Sequence, residues 1–342
     1  MRFGLLVAPP EPTGMAALAG AAEAAGFDLL ALADSQSLFR ELYVSLAVAA
    51  QATSRIRLAP GVSNLVTRHV AVTASAMATV DELSGGRAVL ALGTGDSAIY
   101  NLGERAVRLA DMEEAVHSLR RLFAGERVEH RGRRVHVGWS RRRVPIYMAA
   151  EGPRTLELAG MIADGVIVGS GLARDHVAGA LERLAAGAER AGRSLADLDV
   201  WFFAKANLGN DDQTALDEIR MGLAASANHS FRFSTLGKGL PAELEPAVAR
   251  LQQEYAFHQH EQVGPTRNAE LVEELGLVSY LADRFAVVGT PATVVARLEE
   301  LRARGVDQVL LTALVPDPPR FIDLWRDEVA PRLETAGLAC DR

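Results

Sequence analysis

The sequence predicts an α/β protein: a TIM-type (β/α)8 barrel with a helical insertion before the last strand. Three observations carry this reading. Short apolar stretches alternate with Ala/Leu/Glu/Arg-rich stretches of helical periodicity along nearly the whole chain. Several apolar stretches, such as AVLAL (88–92) and GVIVG (165–169), run without polar interruption, as strands buried on both faces of a parallel sheet do. Strands of this kind number eight, and eight β/α units close into a barrel whose site lies at the carboxyl ends of the strands. A doubly wound open sheet is the competing architecture.

The elements follow in order. Arg2–Val7 reads as the first strand, and Gly14–Ala25 as a helix that Gly26 stops. Asp28–Leu32 is strand two, with the helix Glu41–Ala52 behind it. Ile56–Val62 is strand three, and the helix Val70–Leu83 ends at Gly85-Gly86. Ala88–Leu92 and the helix Leu109–Phe123 form the fourth unit. Val144–Ala149 with Arg154–Ile162 forms the fifth, and Gly165–Val168 with Arg174–Ala191 the sixth. Leu198–Ala206 is strand seven. Gln308–Leu314 is the last strand, between the helices Pro291–Arg304 and Arg320–Thr335.

Two segments disturb the count. The basic stretch Arg127–Arg143 alternates like a small two-stranded hairpin; its arginines read as solvated, or as attracting an anionic tail. After strand seven, Asp211–Ala227 reads as helix, a polar His-rich stretch runs to Arg267, and a helix lies near Ala269–Gly276. The expected organisation is one domain over 1–342 with an insertion at about 210–282.

Composition narrows the function classes. The chain has 342 residues, 36 basic and 43 acidic, for a formal charge of −7, with 49% apolar residues. That is the balance of an ordinary globular protein and excludes a disordered chain. The acidic balance argues against a nucleic-acid partner. No stretch approaches the length of a membrane span. The opening MRFGLLVAPPEP lacks a signal-peptide core, so the expected location is the cytoplasm. The single cysteine, Cys340, cannot form an internal disulfide or a metal cluster.

The chemistry-bearing candidates sit at strand ends. Gly93, Thr94, Gly95, Asp96, Ser97 and Ala98 fit the loose dinucleotide pattern G-x-G-x-x-A. The pattern follows strand four rather than a first strand, and the acids about twenty positions on, Glu113 and Glu114, lie inside a helix, so a nicotinamide fold is a distant reading. A glycine loop there lets backbone approach a flat ligand, or forms a tight turn only. Asp34 closes strand two, where a carboxylate at a barrel mouth is costly unless paired or used, or caps the next helix. Gly61 and Asn64 close strand three, and Asn64 offers both a donor and an acceptor. Ala150, Glu151 and Gly152 open a helix at Pro153, whose free amides suit an anion such as phosphate. Gly169 and Ser170 offer a second small-residue cradle. The eight histidines are scattered, no Ser–His–Asp constellation stands out, and no metal site is expected.

The segments APGVSN (59–64), RHVAVTASAMATVDELSGGR (68–87), LGTGDSA (92–98), VPIYMAAEGP (144–153), ADGVIVG (163–169) and FAVVGTP (285–291) carry a resemblance. The chain resembles the bacterial luciferase-like superfamily of flavin and deazaflavin oxidoreductases. Within it, the chain looks most like the coenzyme F420-dependent methylenetetrahydromethanopterin reductases and their relatives. The resemblance implies a TIM-type barrel with an insertion before the last strand and a non-prolyl cis peptide at Gly61-Val62 facing the cofactor ring. It implies that Gly93, Thr94, Gly95 and Asp96 flank the ring or the substrate. Ala150, Glu151, Gly152, Gly169 and Ser170 are implied to hold the ribityl chain and phosphate. Leu6 stands where the reductases have a glutamate, and Asp34-Ser35 where the superfamily often has Asp-His. A serine hydroxyl donates a hydrogen bond but is a poor base. Asp34, beside the ring, and Asp96, beside the substrate, remain as acid/base candidates with Ser35; Tyr100 and Asn101 are expected in the pocket wall.

The expected function is hydride transfer between F420 and a small organic substrate, by a homodimer. An FMN-dependent monooxygenase is the alternative, and a cofactor-binding protein of the same fold that has lost catalysis is the alternative of another class.

Overall fold

The computed structural model describes residues 1–338; Cys340 lies outside the described residues. Among the described residues eleven strands form: β1 (Arg2–Val7), β2 (Leu29–Leu32), β3 (Arg57–Pro60), β4 (Leu90–Leu92), β5 (Arg127–His130), β6 (Arg133–His136), β7 (Ile146–Ala150), β8 (Gly165–Val168), β9 (Asp199–Leu208), β10 (Ala286–Gly289) and β11 (Gln308–Thr312). Eight of them pair in parallel in the order β3-β2-β1-β11-β9-β8-β7-β4. The ring closes between β3 and β4 through parallel bridges Leu58–Ala88 and Ser63–Leu92, with Ser63 N–H donating to the Ala91 carbonyl at 3.0 Å. The closed ring sets aside the open doubly wound sheet.

Side chains on the strands split between two layers. Phe3, Leu5 and Val7 of β1 point outward under the helices, while Leu6 joins Leu29, Ala31, Ala59, Ile167, Trp201 and Leu310 in the barrel interior. The amino-terminal mouth is plugged. There Asp199 accepts from Arg57 at 2.8 Å and from Trp201 Nε1 at 3.2 Å, and also from Tyr147 and Arg2. With that end filled, the barrel interior opens at the carboxyl ends of the strands.

The flanking helices start and stop where their residues allow. Glu41 caps Leu42–Ala52 by accepting from Val44 N–H at 2.8 Å, and Thr290 caps Pro291–Ala303 from Thr293 N–H. Gly85 ends Val70–Ser84 in the left-handed region, at φ 70°. Strands β5 and β6 form the expected antiparallel hairpin through Arg131 and Gly132.

Three features depart from the sequence reading. β10 is a ninth strand, laid parallel on the end of β9 from Ala286–Lys205 to Gly289–Leu208, which is why β9 runs on to Leu208. The expected helix 211–227 is two, Asp212–Asp217 and Arg220–Phe231, and the polar stretch after it holds a helix at Glu245–Glu254. The last helix is broken by a wider turn at Trp325–Val329 ahead of Pro331, which has no N–H to give the regular ladder. Among the described residues no helix is long and apolar enough to cross a membrane.

Candidate active site

A cavity of about 360 Å³ opens at the carboxyl ends of the barrel strands. That falls within the range of small-molecule and cofactor sites, and the wall has their character: apolar side chains with a few placed polar groups. The floor is Leu6, Val62, Ile167 and Leu310. The Gly61-Val62 peptide is cis. Gly61 has no room for a side chain, because a Cβ there would stand 2.6 Å from Leu6 Cδ1.

Asp34 follows β2, and its side chain is 3% exposed. Both its oxygens are taken: Arg68 donates at 2.7 and 3.2 Å, and Ser63 Oγ at 2.7 Å. Asp34 thereby fastens the Gly61–Asn64 loop to the start of the helix behind it. Asn64 shapes the same loop, its Oδ1 accepting from Val66 and Thr67 N–H, each at 2.9 Å. Ser35 is buried and accepts a 3.1 Å hydrogen bond from Ser97.

Asp96, after β4, meets residues from the segment between β9 and β10. His229 Nδ1 lies 2.6 Å from Asp96 Oδ2, and Arg232 donates to Oδ1 at 2.7 Å. Glu151, after β7, stands on the other side of the imidazole, with Oε1 3.5 Å from Nε2, and accepts from Ser230 Oγ at 2.8 Å. Burial works against the imidazolium, but the Glu151 and Asp96 carboxylates outweigh it and raise His229 to about 9. Burial likewise works to raise Asp96, and the charge and hydrogen bond of His229 together with the Arg232 guanidinium hold its carboxyl well below the usual carboxylate range. The ring of Tyr100 backs Arg232, 4.5 Å from the guanidinium.

The far wall is a second buried pair. Lys205 of β9 bonds Glu261, and both are largely withdrawn from solvent. His260 sits beside them with Nδ1 2.7 Å from the Tyr255 hydroxyl; burial lowers its pKa and keeps it neutral. Among the described residues no group of His, Cys, Asp and Glu could hold a metal ion.

The structure brings Asp34, Ser35, Gly61, Val62, Asn64, Gly93, Thr94, Gly95, Asp96, Ala150, Glu151, Gly152 and Gly169 into the wall of this one cavity. Ser170 lies just outside the wall, with its Oγ buried and unpaired. Tyr100 and Asn101 also lie behind the wall, Tyr100 because its ring covers Arg232. Sequence reasoning missed Lys205, His229, Arg232, His260 and Glu261. One signal was present: from Met221 to Phe231, His229 is the lone ionisable residue in an otherwise small and apolar helix.

Comparisons with known proteins agree with the barrel fold. Residues 2–308 match the family described as luciferase-like monooxygenase. The chain is 30% identical to the 5,10-methylenetetrahydromethanopterin reductase of Methanopyrus kandleri, over 97% of this chain and 98% of that one. It is 30% identical to the F420-dependent glucose-6-phosphate dehydrogenase of Nakamurella multipartita, over 97% and 96% of the two chains. The solved structure of the coenzyme F420-dependent tetrahydromethanopterin reductase from Methanopyrus kandleri superposes with a TM-score of 0.76 at 28% identity, covering 97% of this chain and 99% of that one.

Proposed function

This chain belongs to the luciferase-like monooxygenase family, and from that membership and the cavity we propose that it is an oxidoreductase that transfers a hydride between coenzyme F420 and a small organic substrate. The observation that carries the reading is full-length likeness, at about 30% identity, to enzymes that reduce or oxidise different substrates, one of them named for F420.

The residues present fit such a cofactor. The floor is apolar, and the glycines at 61 and 93 put no side chain into the cavity. A Cβ on Gly152 would meet nothing within 4 Å and would fill open cavity instead. Thr312 Oγ1 at the cavity and Ser170 Oγ beside it are buried hydroxyls without partners, as groups awaiting a polar ligand are. We assign Gly61, Val62, Asn64, Gly93, Thr94 and Gly95 to the ring, and Ala150, Glu151, Gly152, Gly169 and Ser170 to the ribityl chain and phosphate. When bound, the coenzyme supplies the hydride chemistry. The chain orients the partners and excludes water. Asp34, acting through Ser63, fixes the loop under the ring, while Ser35 and Asp96 face the substrate.

Titrating the purified protein with oxidised F420 and with FMN, followed by absorbance, tests this reading. F420 binding is expected. The family's name favours a second reading, an FMN-dependent monooxygenase, and tight FMN binding without F420 binding would establish it and overturn the first. Cofactor binding with no turnover over a broad substrate panel would favour a non-catalytic relative. We also propose a cytoplasmic homodimer. Val44, Val72 and Leu83 are exposed on the neighbouring helices 42–52 and 70–84, which supports pairing there. Light scattering that gives a monomer at micromolar concentration removes that part.

A further inference from the structure

We propose that His229, brought to the cavity by the helix Arg220–Phe231, is the catalytic acid/base that exchanges a proton with the substrate. The inference rests on the oxidoreductase reading above and adds the proton route that reading lacks.

The geometry singles His229 out. It lines the cavity and is 41% exposed there. Asp96 accepts from Nδ1 at 2.6 Å, which fixes the ring's orientation, and Arg232 in turn fixes Asp96. Nε2 lies 3.5 Å from Glu151, too far for a good hydrogen bond, so its N–H remains able to reach a substrate atom. The other ionisable groups of the cavity have partners of their own, Glu151 accepting from Ser230 Oγ. Asp34 is closed by Arg68 and Ser63, Lys205 by Glu261, and His260 is buried against Tyr255. Lys238 donates to the Ser230 carbonyl. A base-oriented imidazole with one free nitrogen is the usual form of a general acid/base.

The groups that face His229 set its charge. Asp96 comes from the loop after β4, Glu151 from the end of β7, Arg232 from its own helix end, and His260 from the far wall. The two carboxylates prevail and keep the imidazole protonated at neutral pH.

The step balances with the reduced coenzyme as the co-reactant. A hydride from it adds to the carbon of a C=O or C=N group, and the π pair moves to the heteroatom. The Nε2–H bond breaks as the heteroatom–H bond forms. The products are the reduced substrate, the oxidised coenzyme and neutral imidazole, which water reprotonates. In the reverse direction His229 takes the proton.

The test uses the full chain and its H229Q variant. Oxidised F420 is titrated into both first; binding by neither is a failure of the cofactor reading and is seen before any rate is measured. Loss of reduced F420 is then followed with acetone, cyclohexenone and pyrroline as acceptors across a range of pH. The wild type is expected to lose rate as pH rises through about 9. H229Q is expected to be slower by about a hundredfold or more, without that limb, and to recover in part with added imidazole. H229Q with the wild-type rate and profile overturns the proposal. If none of the three acceptors reacts, 15N NMR of histidine-labelled protein decides. A His229 ring that is charged at neutral pH and loses that charge in D96N supports it, and a neutral ring in the wild type overturns it.

Discussion

Arg68 closes both oxygens of Asp34, at 2.7 and 3.2 Å, across the loop that carries the cis peptide Gly61-Val62. Asp34 is 3% exposed and Arg68 16%, so neither charge has water to fall back on. A buried pair of this kind gives little net stability, but removing one partner strands the other.

Arg68→Ala is therefore expected to cost about 3 kcal/mol, because the Asp34 carboxylate is left in a dry site with Ser63 alone. Denaturant unfolding measures it. Adding Asp34→Ala to the same chain removes the stranded charge and should restore part of the loss. A double variant as weak as the sum of the singles would deny the coupling.

The fit of Gly61 over Leu6 gives a second expectation. A Cβ at 61 would stand 2.6 Å from Leu6 Cδ1 and 3.0 Å from Ala31 Cβ. Gly61→Ala should thus cost about 1–3 kcal/mol and weaken cofactor binding. Leu6→Ala opens the floor beneath it, so the double variant should lose about 1 kcal/mol less than the two singles added together. Thermal unfolding and an F420 titration read the two effects separately.

At the plugged end of the barrel, Asp199 makes stability depend on acid. Burial works to raise its carboxyl; the Tyr147 hydroxyl and the Arg57 and Arg2 guanidiniums outweigh that and hold it well below the usual range. With the folded value depressed, the contribution is complete above the unfolded value of about 3.9 and is lost as pH falls below it. A melting series from neutral pH into that acid range should show a limb worth about 2 kcal/mol that Asp199→Asn lacks. An unchanged limb in the variant would assign the acid loss to other carboxylates.

The contrast between Asp34 and Lys205 shows what the sequence made legible. Asp34, Gly61, Gly93 and Glu151 follow strands whose apolar runs are plain, and a parallel barrel brings all strand ends to one rim. Lys205 lies inside the apolar run of β9, where the pattern reads as core. His260 and Glu261 sit in irregular chain whose place in space no periodicity fixes. β10 escaped because its four residues lie directly between two helices and gain strand form only by pairing with the end of β9. The helix carrying His229 was partly legible, but that it reaches Asp96, far off in sequence, depends on tertiary packing alone.

The Lys205–Glu261 pair permits a separation of stability from function. Glu261 holds its place at φ 54°, a backbone region that disfavours side-chain-bearing residues. A charged pair kept under that strain, against the burial of both members, gains little stability over an apolar pair of the same size. Glu261→Gln alone should cost about 3 kcal/mol, since it leaves the Lys205 ammonium buried without a counter-charge. Lys205→Met with Glu261→Leu should unfold within about 1 kcal/mol of the wild type, yet turn substrate over more slowly, because the polar far wall of the cavity is gone. Chemical unfolding and reduced-F420 consumption, measured on the same preparations, decide it. A double variant that is strongly destabilised would mean that the pair is kept to hold the segment down; one that is stable and fully active would remove the far wall from the site.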